Sequence, residues 1–214
     1  MLEECGLPYT VKFVNIGKGE QFDPAFLQIS PNNRIPAITD PDGPGGRPLS
    51  IFESGAILQY LGRKSGMLYP ADERGRVEVD QWLFWQVGGL GPMAGQANHF
   101  RQVAPEQLHY AIERYTRETE RLYKVLNARL AGRDFITGAI SIADVACWGW
   151  IVPHRAQGQS LDDHPHLKAW FDRMGARPGV QRGFKLGSDL RRTPGDTPRP
   201  DEQRKGAPSQ RPRV

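Results

Sequence analysis

The chain has 214 residues, 38% hydrophobic and 24% charged, the make-up of a water-facing globular protein. No apolar run approaches the ~20 residues that span a bilayer. Of the net charge of +4, a surplus of three lies in residues 187–214, so the basic balance belongs to a tail rather than the body. No aromatic residues interleave with that basic stretch, and nucleic acid is not an expected partner.

Met1 to Gly6 reads as the end of a helix, with Gly6 as terminator and Pro8 beyond it. No secretory signal is visible in Met1-Leu2-Glu3-Glu4-Cys5, which is acidic and lacks a following apolar core. Tyr9 to Ile16 alternates at Tyr9, Val11 and Phe13 and predicts a strand. Asp23-Pro24-Ala25-Phe26-Leu27 predicts a short helix with Asp23 as cap. Ile35 to Asp40 and Leu49 to Ile51 predict two strands around the hairpin loop Asp40 to Gly46. Pro36 has no N–H for a ladder and therefore belongs at a strand start. Ser54 to Lys64 predicts a helix with Ala56, Ile57, Tyr60 and Leu61 on one face.

Leu68 to Asp72 reads as a link, after which the pattern is helical throughout. Arg74 to about Phe100 is one tryptophan-rich helical stretch that Pro92 should kink or interrupt. Glu106 to Leu130 is the clearest helix, with Leu108, Ile112, Tyr115, Leu122 and Leu126 at helical spacing. Glu113–Arg117 and Glu120–Lys124 are i,i+4 pairs in it. Ser141-Ile142-Ala143-Asp144 fits a capping box, with Ile140 and Val145 as a hydrophobic staple. The helix it opens is apolar nearly all round and should be buried. A last helix starts at His164-Pro165 and ends near Arg177-Pro178-Gly179. Residues 187–214, rich in Pro, Arg, Gly and Asp without periodicity, are expected to be disordered.

Two stretches carry chemistry. A proline opening a strand at Ile35-Pro36 is compatible with a cis bond that turns neighbouring backbone groups toward a ligand, or with an ordinary trans proline. Ser54, followed by Gly55 and Ala56 at a helix start, leaves amides open to an anion, while Glu53 could take an ammonium. Together they fit the α-amino-acid end of a ligand; simple capping is the plainer alternative. Arg114 lies away from the apolar stripe of its helix and is either a surface charge or a ligand contact. The five histidines and two cysteines show no zinc-like spacing, and the lack of Cys-x-x-Cys fits a reducing cytoplasm.

Asn33-Arg34-Ile35-Pro36-Ala37, Glu53 to Leu61, the helical second half and the Ser141–Asp144 box together resemble the glutathione S-transferase family. Gly17 to Phe22, Gln81 to Met93 and Tyr110 to Tyr115 carry a narrower likeness to the nu-class, YfcG-like disulfide-bond oxidoreductases. The resemblance covers roughly residues 1–187. It implies a thioredoxin-like α/β N-terminal domain at residues 1–68, an all-α C-terminal domain at 75–186, a homodimer, and glutathione as substrate with no separate cofactor. It implies a cis Pro36 with the Ile35 backbone pairing to the ligand, Glu53 and Ser54 at the γ-glutamyl end, Gln21 at the glycyl end and Arg114 as a further contact. It implies an enzyme acting on disulfides, peroxides or electrophiles, the alternative being a non-catalytic glutathione-binding or regulatory module. The family begins with a strand and a Thr-x-Asn loop that holds the glutathione sulfur. Here Met1 falls inside the first helix, so the expectation is a domain lacking its first strand, with no catalytic residue assigned.

Overall fold

The computed structural model describes residues 1–188, and the rest of the tail lies outside them. The chain runs through α1 (Leu2–Cys5), α2 (Pro24–Leu27), β1 (Ala37–Gly43), β2 (Arg47–Phe52) and α3 (Ser54–Ser65). A helical half follows, with α4 (Glu73–Trp85), a π-turn (Gln86–Leu90), α5 (Gly91–Asn98), a second π-turn (His99–Val103) and α6 (His109–Leu130). It closes with α7 (Ile142–Ile151), α8 (Pro165–Gly175) and α9 (Pro178–Lys185). The first half holds an antiparallel two-stranded ladder, the only sheet among the described residues, and the architecture is that of a thioredoxin-like small-sheet domain followed by an all-α domain.

Local sequence chemistry sets most boundaries. Gly6 takes φ 62° and ends α1, and Pro24 occupies the first turn of α2. Asp72 caps α4 by accepting the Gly75 N–H at 2.9 Å. Glu120–Lys124 forms at 2.9 Å and Glu113–Arg117 also closes on the exposed face of α6.

Several expectations need correction. Tyr9 to Asn15 forms no ladder, and Ile16 begins a single 3-10 turn. Alternation marks which side chains could share a face, but a strand exists only as half of a pairing, and no described strand pairs with this one. Phe13 and Ile16 are accordingly exposed. The predicted Arg74–Phe100 helix is interrupted next to Pro92, as expected there, but by the π-turn Gln86–Leu90, after which Pro92 sits in the first turn of α5. In α6 the buried residues are Thr119, Leu122, Tyr123, Leu126 and Leu130, whereas Leu108 precedes the helix and is exposed. Helix α7 is not buried all round: Ile142, Ala143, Asp144, Cys147 and Ile151 are, but Trp150 retains 37% exposure.

The chain also does not stop being helical at Pro178, which instead opens α9. Glu4 of α1 explains its position. The carboxylate pairs with Arg177 at 2.7 Å and accepts the Val180 N–H at 3.1 Å, satisfying a free amide at the helix start. Glu3 pairs with Arg182 at 2.6 Å alongside. Gly179 leaves the room, since a Cβ there would stand 2.5 Å from a Glu4 oxygen.

The core lies in the helical half, around Leu83, Leu90, Leu126, Ile142, Cys147, Trp170 and Met174. At its centre is Asp144, fully buried. It accepts the Ser141 N–H at 2.9 Å, the Ser141 hydroxyl at 3.0 Å, the Ile136 N–H at 2.9 Å and the Trp170 indole N–H at 2.8 Å. The capping box is thus also a junction between α7, α8 and the loop before them. Next to it the Ile142 N–H donates to the Leu68 carbonyl at 2.8 Å, tying the helical core to the link. Replacing Asp144 by Ala strands three buried N–H donors, and each typically costs about 1–3 kcal/mol. Denaturant unfolding of Asp144→Ala is therefore expected to show a loss of at least about 3 kcal/mol. Loss of a simple cap would cost only about 1 kcal/mol, and that result would reduce Asp144 to an ordinary cap.

Candidate functional site

The ladder itself brings two of the sequence-marked stretches together. Ala37 pairs with Phe52 at its end. Pro36 immediately precedes the first and Glu53 immediately follows the second, so Ile35-Pro36 and Glu53-Ser54 lie side by side at one corner. The Ile35–Pro36 bond is cis. The approach to it is fixed by Ser30, whose buried hydroxyl donates to the Arg34 carbonyl at 2.7 Å, and by the Asn33 N–H bonded to the Ser30 carbonyl at 2.9 Å.

Glu53 stands at the N-cap position of α3 with φ 69° and ψ 117°. A left-handed φ at a non-glycine residue costs on the order of 1–3 kcal/mol and clusters at functional positions. No side chain caps α3. Ser54 is the first helical residue and is half-buried, so simple capping by Ser54 does not describe it. The amides at that helix start remain directed at whatever occupies the corner. Gly55 keeps α3 close to the helical half, as a Cβ there would lie 3.3 Å from Val87. At the far end of the hairpin Asp40 accepts from the Tyr60 hydroxyl and from Lys64, both at 2.5 Å, fastening α3 along the sheet. The Lys64 ammonium, then the Tyr60 hydroxyl, hold the Asp40 carboxyl below its usual range.

Gln21 sits in a 3-10 turn, Glu20–Phe22, with its Oε1 buried and unpartnered. Arg114 is not brought to the corner. It is exposed on α6, in an open cavity of about 610 Å3 lined by Met93 of α5 and by residues of α6 including Tyr110, Tyr115 and Arg121. There Glu113 pairs with Arg117 and Glu118 with Arg121, while Arg114 makes no ion pair among the described residues. Glu118 is held below the usual carboxylate range by Arg121 first and by Arg114 as a lesser influence.

Cys5 is half-buried and receives the Ser65 hydroxyl at 3.4 Å. Cys147 is buried, which pushes its thiol well up, so it is no ready nucleophile. What the corner offers is recognition: open amides for a carboxylate, Glu53 for an ammonium, and backbone groups at Ile35-Pro36 for an extended peptide. Sequence reasoning located these residues but missed the backbone strain at Glu53, for which a glutamate carries no sequence signal.

Comparison with known proteins gives the following. Residues 1–64 match the model of the glutathione S-transferase N-terminal domain, and residues 92–178 that of the C-terminal domain. The chain is 52% identical over 181 residues to the disulfide-bond oxidoreductase YfcG of Escherichia coli (strain K12), covering 84% of each. It resembles the crystal structure of a glutathione transferase from Burkholderia graminis, which holds two glutathione molecules per subunit, with a TM-score of 0.82 and 42% identity over 89% of this chain and 82% of that one. A Pseudomonas putida glutathione transferase with one glutathione disulfide per subunit gives a TM-score of 0.82 and 41% identity, covering 86% and 84%.

The strain at Glu53 is directly measurable. In denaturant unfolding, Glu53→Gly is expected to be more stable than Glu53→Ala by about 1 kcal/mol, the reverse of the usual order. Equal stabilities, or alanine the more stable, would show that the backbone there stores no strain.

Proposed function

The chain belongs to the glutathione S-transferase family, and we propose that it binds glutathione at the hairpin corner and uses it in thiol–disulfide exchange. The observation that carries this reading is the juxtaposition at one ladder end of an uncapped helix start, a carboxylate in a strained backbone and the Ile35-Pro36 turn. The γ-glutamyl carboxylate is taken by the Ser54 hydroxyl and the α3 amides, its ammonium by Glu53. The Ile35 backbone pairs with the cysteinyl part, and Gln21 meets the glycyl end, its otherwise unpartnered side-chain oxygen accepting the glycyl N–H. Residues 1–68 form the glutathione-binding unit and 75–186 the helical unit against which it is held.

The reaction follows from thiol chemistry. The thiolate of bound glutathione attacks one sulfur of a disulfide, and the S–S bond breaks. The second sulfur leaves as a thiolate and takes up a proton. A second glutathione resolves the resulting mixed disulfide in the same way, giving glutathione disulfide. The protein contributes position, fixing the thiol where the acceptor can approach in line. The kinship to a disulfide-bond oxidoreductase and the glutathione disulfide held by the Pseudomonas putida structure support this choice over transfer to electrophiles or reduction of peroxides.

A homodimer completes the reading. Val77 and Phe84 lie two turns apart on α4 and are 48% and 63% exposed, an apolar face suited to a second copy. Arg114, remote from the corner of its own chain, then reaches a carboxylate of the ligand across the dimer. The two free cysteines support placement in a reducing cytoplasm.

Calorimetric titration with glutathione tests the corner. Wild type should bind, and Ser54→Ala should weaken binding tenfold or more through loss of a charge-assisted hydrogen bond, roughly 1.5–3 kcal/mol. No binding by the wild type would contradict the proposal, and binding without turnover in a glutathione-dependent disulfide reductase assay would favour a non-catalytic binding module. Light scattering should give twice the chain mass, and Phe84→Glu should shift it toward the monomer. A wild-type monomer would remove the dimer and the role given to Arg114.

A further inference from the structure

Among the described residues five arginines are half-buried: Arg76, Arg101, Arg129, Arg173 and Arg177. Four of them are tied down. Arg76 donates to the Pro70 carbonyl at 2.9 Å, Arg129 to that of Ile136 at 2.6 Å, Arg173 to that of Asp134 at 2.8 Å and Arg177 to the Glu4 carboxylate at 2.7 Å. Arg101, in the second π-turn, is the exception. It makes no hydrogen bond and no ion pair among the described residues. Its Nε is shut off from solvent, and only its terminal nitrogens keep contact with water. A cation that gives up hydration and gains no partner is costly to keep.

The guanidinium is nonetheless held in place. A Cβ on Gly158 would lie 2.7 Å from its Cζ and 2.9 Å from both Nε and Nη1, so Gly158 lies against the face of the planar group. Gly158 takes φ 77°, a conformation that favours glycine, and a side chain there would displace the arginine. Two buried glutamines set the loop that carries it. Gln157 accepts the Tyr123 hydroxyl and donates to the Trp150 carbonyl, both at 2.8 Å, and Gln159 donates to the Thr116 carbonyl of α6 at 3.0 Å. Gln102, next to Arg101, donates to the Ala156 carbonyl at 3.3 Å and joins the π-turn to the same loop. Arg155 adds a second, exposed cation without an ion pair among the described residues. Asp162, the carboxylate on which Arg155 acts, is already engaged by Lys168.

This place is separate from the hairpin corner. Val87 touches the start of α3, and Arg101 lies fourteen residues further along the helical path, roughly 20 Å away. A tripeptide spans only about 11 Å.

We propose that Arg101, seated on Gly158, is an anion-binding site for the oxoanion group of a small molecule, a phosphate or a carboxylate. The oxygens are received by the terminal guanidinium nitrogens, whose fork is already oriented, so little freedom is lost on binding. The bound anion supplies the counter-charge that the fold withholds, and it fastens the second π-turn to the loop from Arg155 to Gln159. The site does not depend on the glutathione reading.

Thermal melts of the full chain in phosphate, acetate and chloride at equal ionic strength test it, with glutathione present throughout so that the corner contributes equally. The gain in phosphate over chloride is expected to be larger in wild type than in Arg101→Leu by about 2 °C or more. Calorimetric titration with phosphate should show Arg101→Leu binding at least about tenfold more weakly, the effect of one lost charge-assisted hydrogen bond. Arg101→Leu removes an unpaired half-buried charge, so its melting temperature in chloride should not fall, and it decides the matter if Gly158→Ala, expected to act in the same direction, fails to fold. A response to phosphate alone assigns the site to phosphate-bearing ligands, and an equal response to acetate extends it to carboxylates. No gain over chloride in the wild type, or a gain undiminished in Arg101→Leu, overturns the proposal. Glutathione affinity should stay within about twofold in Arg101→Leu. Its loss together with the phosphate response would mark a disturbed fold rather than a separate site and would also overturn it.

Discussion

Asp144 has no solvent exposure, and three separate stretches of chain donate to it. Burial alone pushes its pKa up by disfavouring the charged form, and the N–H groups of Ile136, Trp170 and Ser141 and the Ser141 hydroxyl pull against that. A carboxylate in such a position is tolerable only when its oxygens are occupied. That requirement fixes where α8 and the loop before α7 must lie, because each delivers one donor to the same side chain. The Ile142 amide then reaches the Leu68 carbonyl, so the orientation of α7 is passed to the link and to α3, which packs on it. The start of α3, where we propose that glutathione binds, is thus positioned by a polar junction buried in the other half of the molecule.

Against that satisfied centre, the exceptions stand out by where they fall. Glu53 holds a positive φ at the start of α3. Gln21 keeps an unpartnered buried oxygen in the first half of the chain. Both lie in the half of the chain where we propose that glutathione binds. Two further orphaned atoms, Arg101 Nε and Thr116 Oγ1, lie on or beside the second π-turn and α6, outside the corner, and are not accounted for by glutathione binding.

Much of this was legible in the residues. Pro36, Gly55 and the box at Ser141 are positions where backbone chemistry leaves few choices, and the strands, α3, α6 and α7 follow from periodicity. Periodicity misled at Tyr9 to Ile16, because alternation cannot say whether a partner strand is present. It also misled at Trp150, which looks like core in an apolar helix but rests on Gly91 and Gly95, 59 and 55 positions away in the chain. The π-turn was unreadable because a single wide turn leaves no trace in a stretch as rich in tryptophan and glycine as residues 82–91. The clasp of Glu4 on Arg177 and on the start of α9 joins residues 173 positions apart, beyond the reach of any local pattern.

Amide hydrogen exchange, measured residue by residue with and without glutathione, addresses the link between the buried junction and the recognition corner most directly. The account predicts that the α7 amides following Ser141 exchange only with global unfolding, while Ser54, Gly55 and Ala56 exchange quickly in the free chain and slow selectively when glutathione is added. Fast exchange throughout α7, or protection by glutathione that bypasses the start of α3, would contradict it.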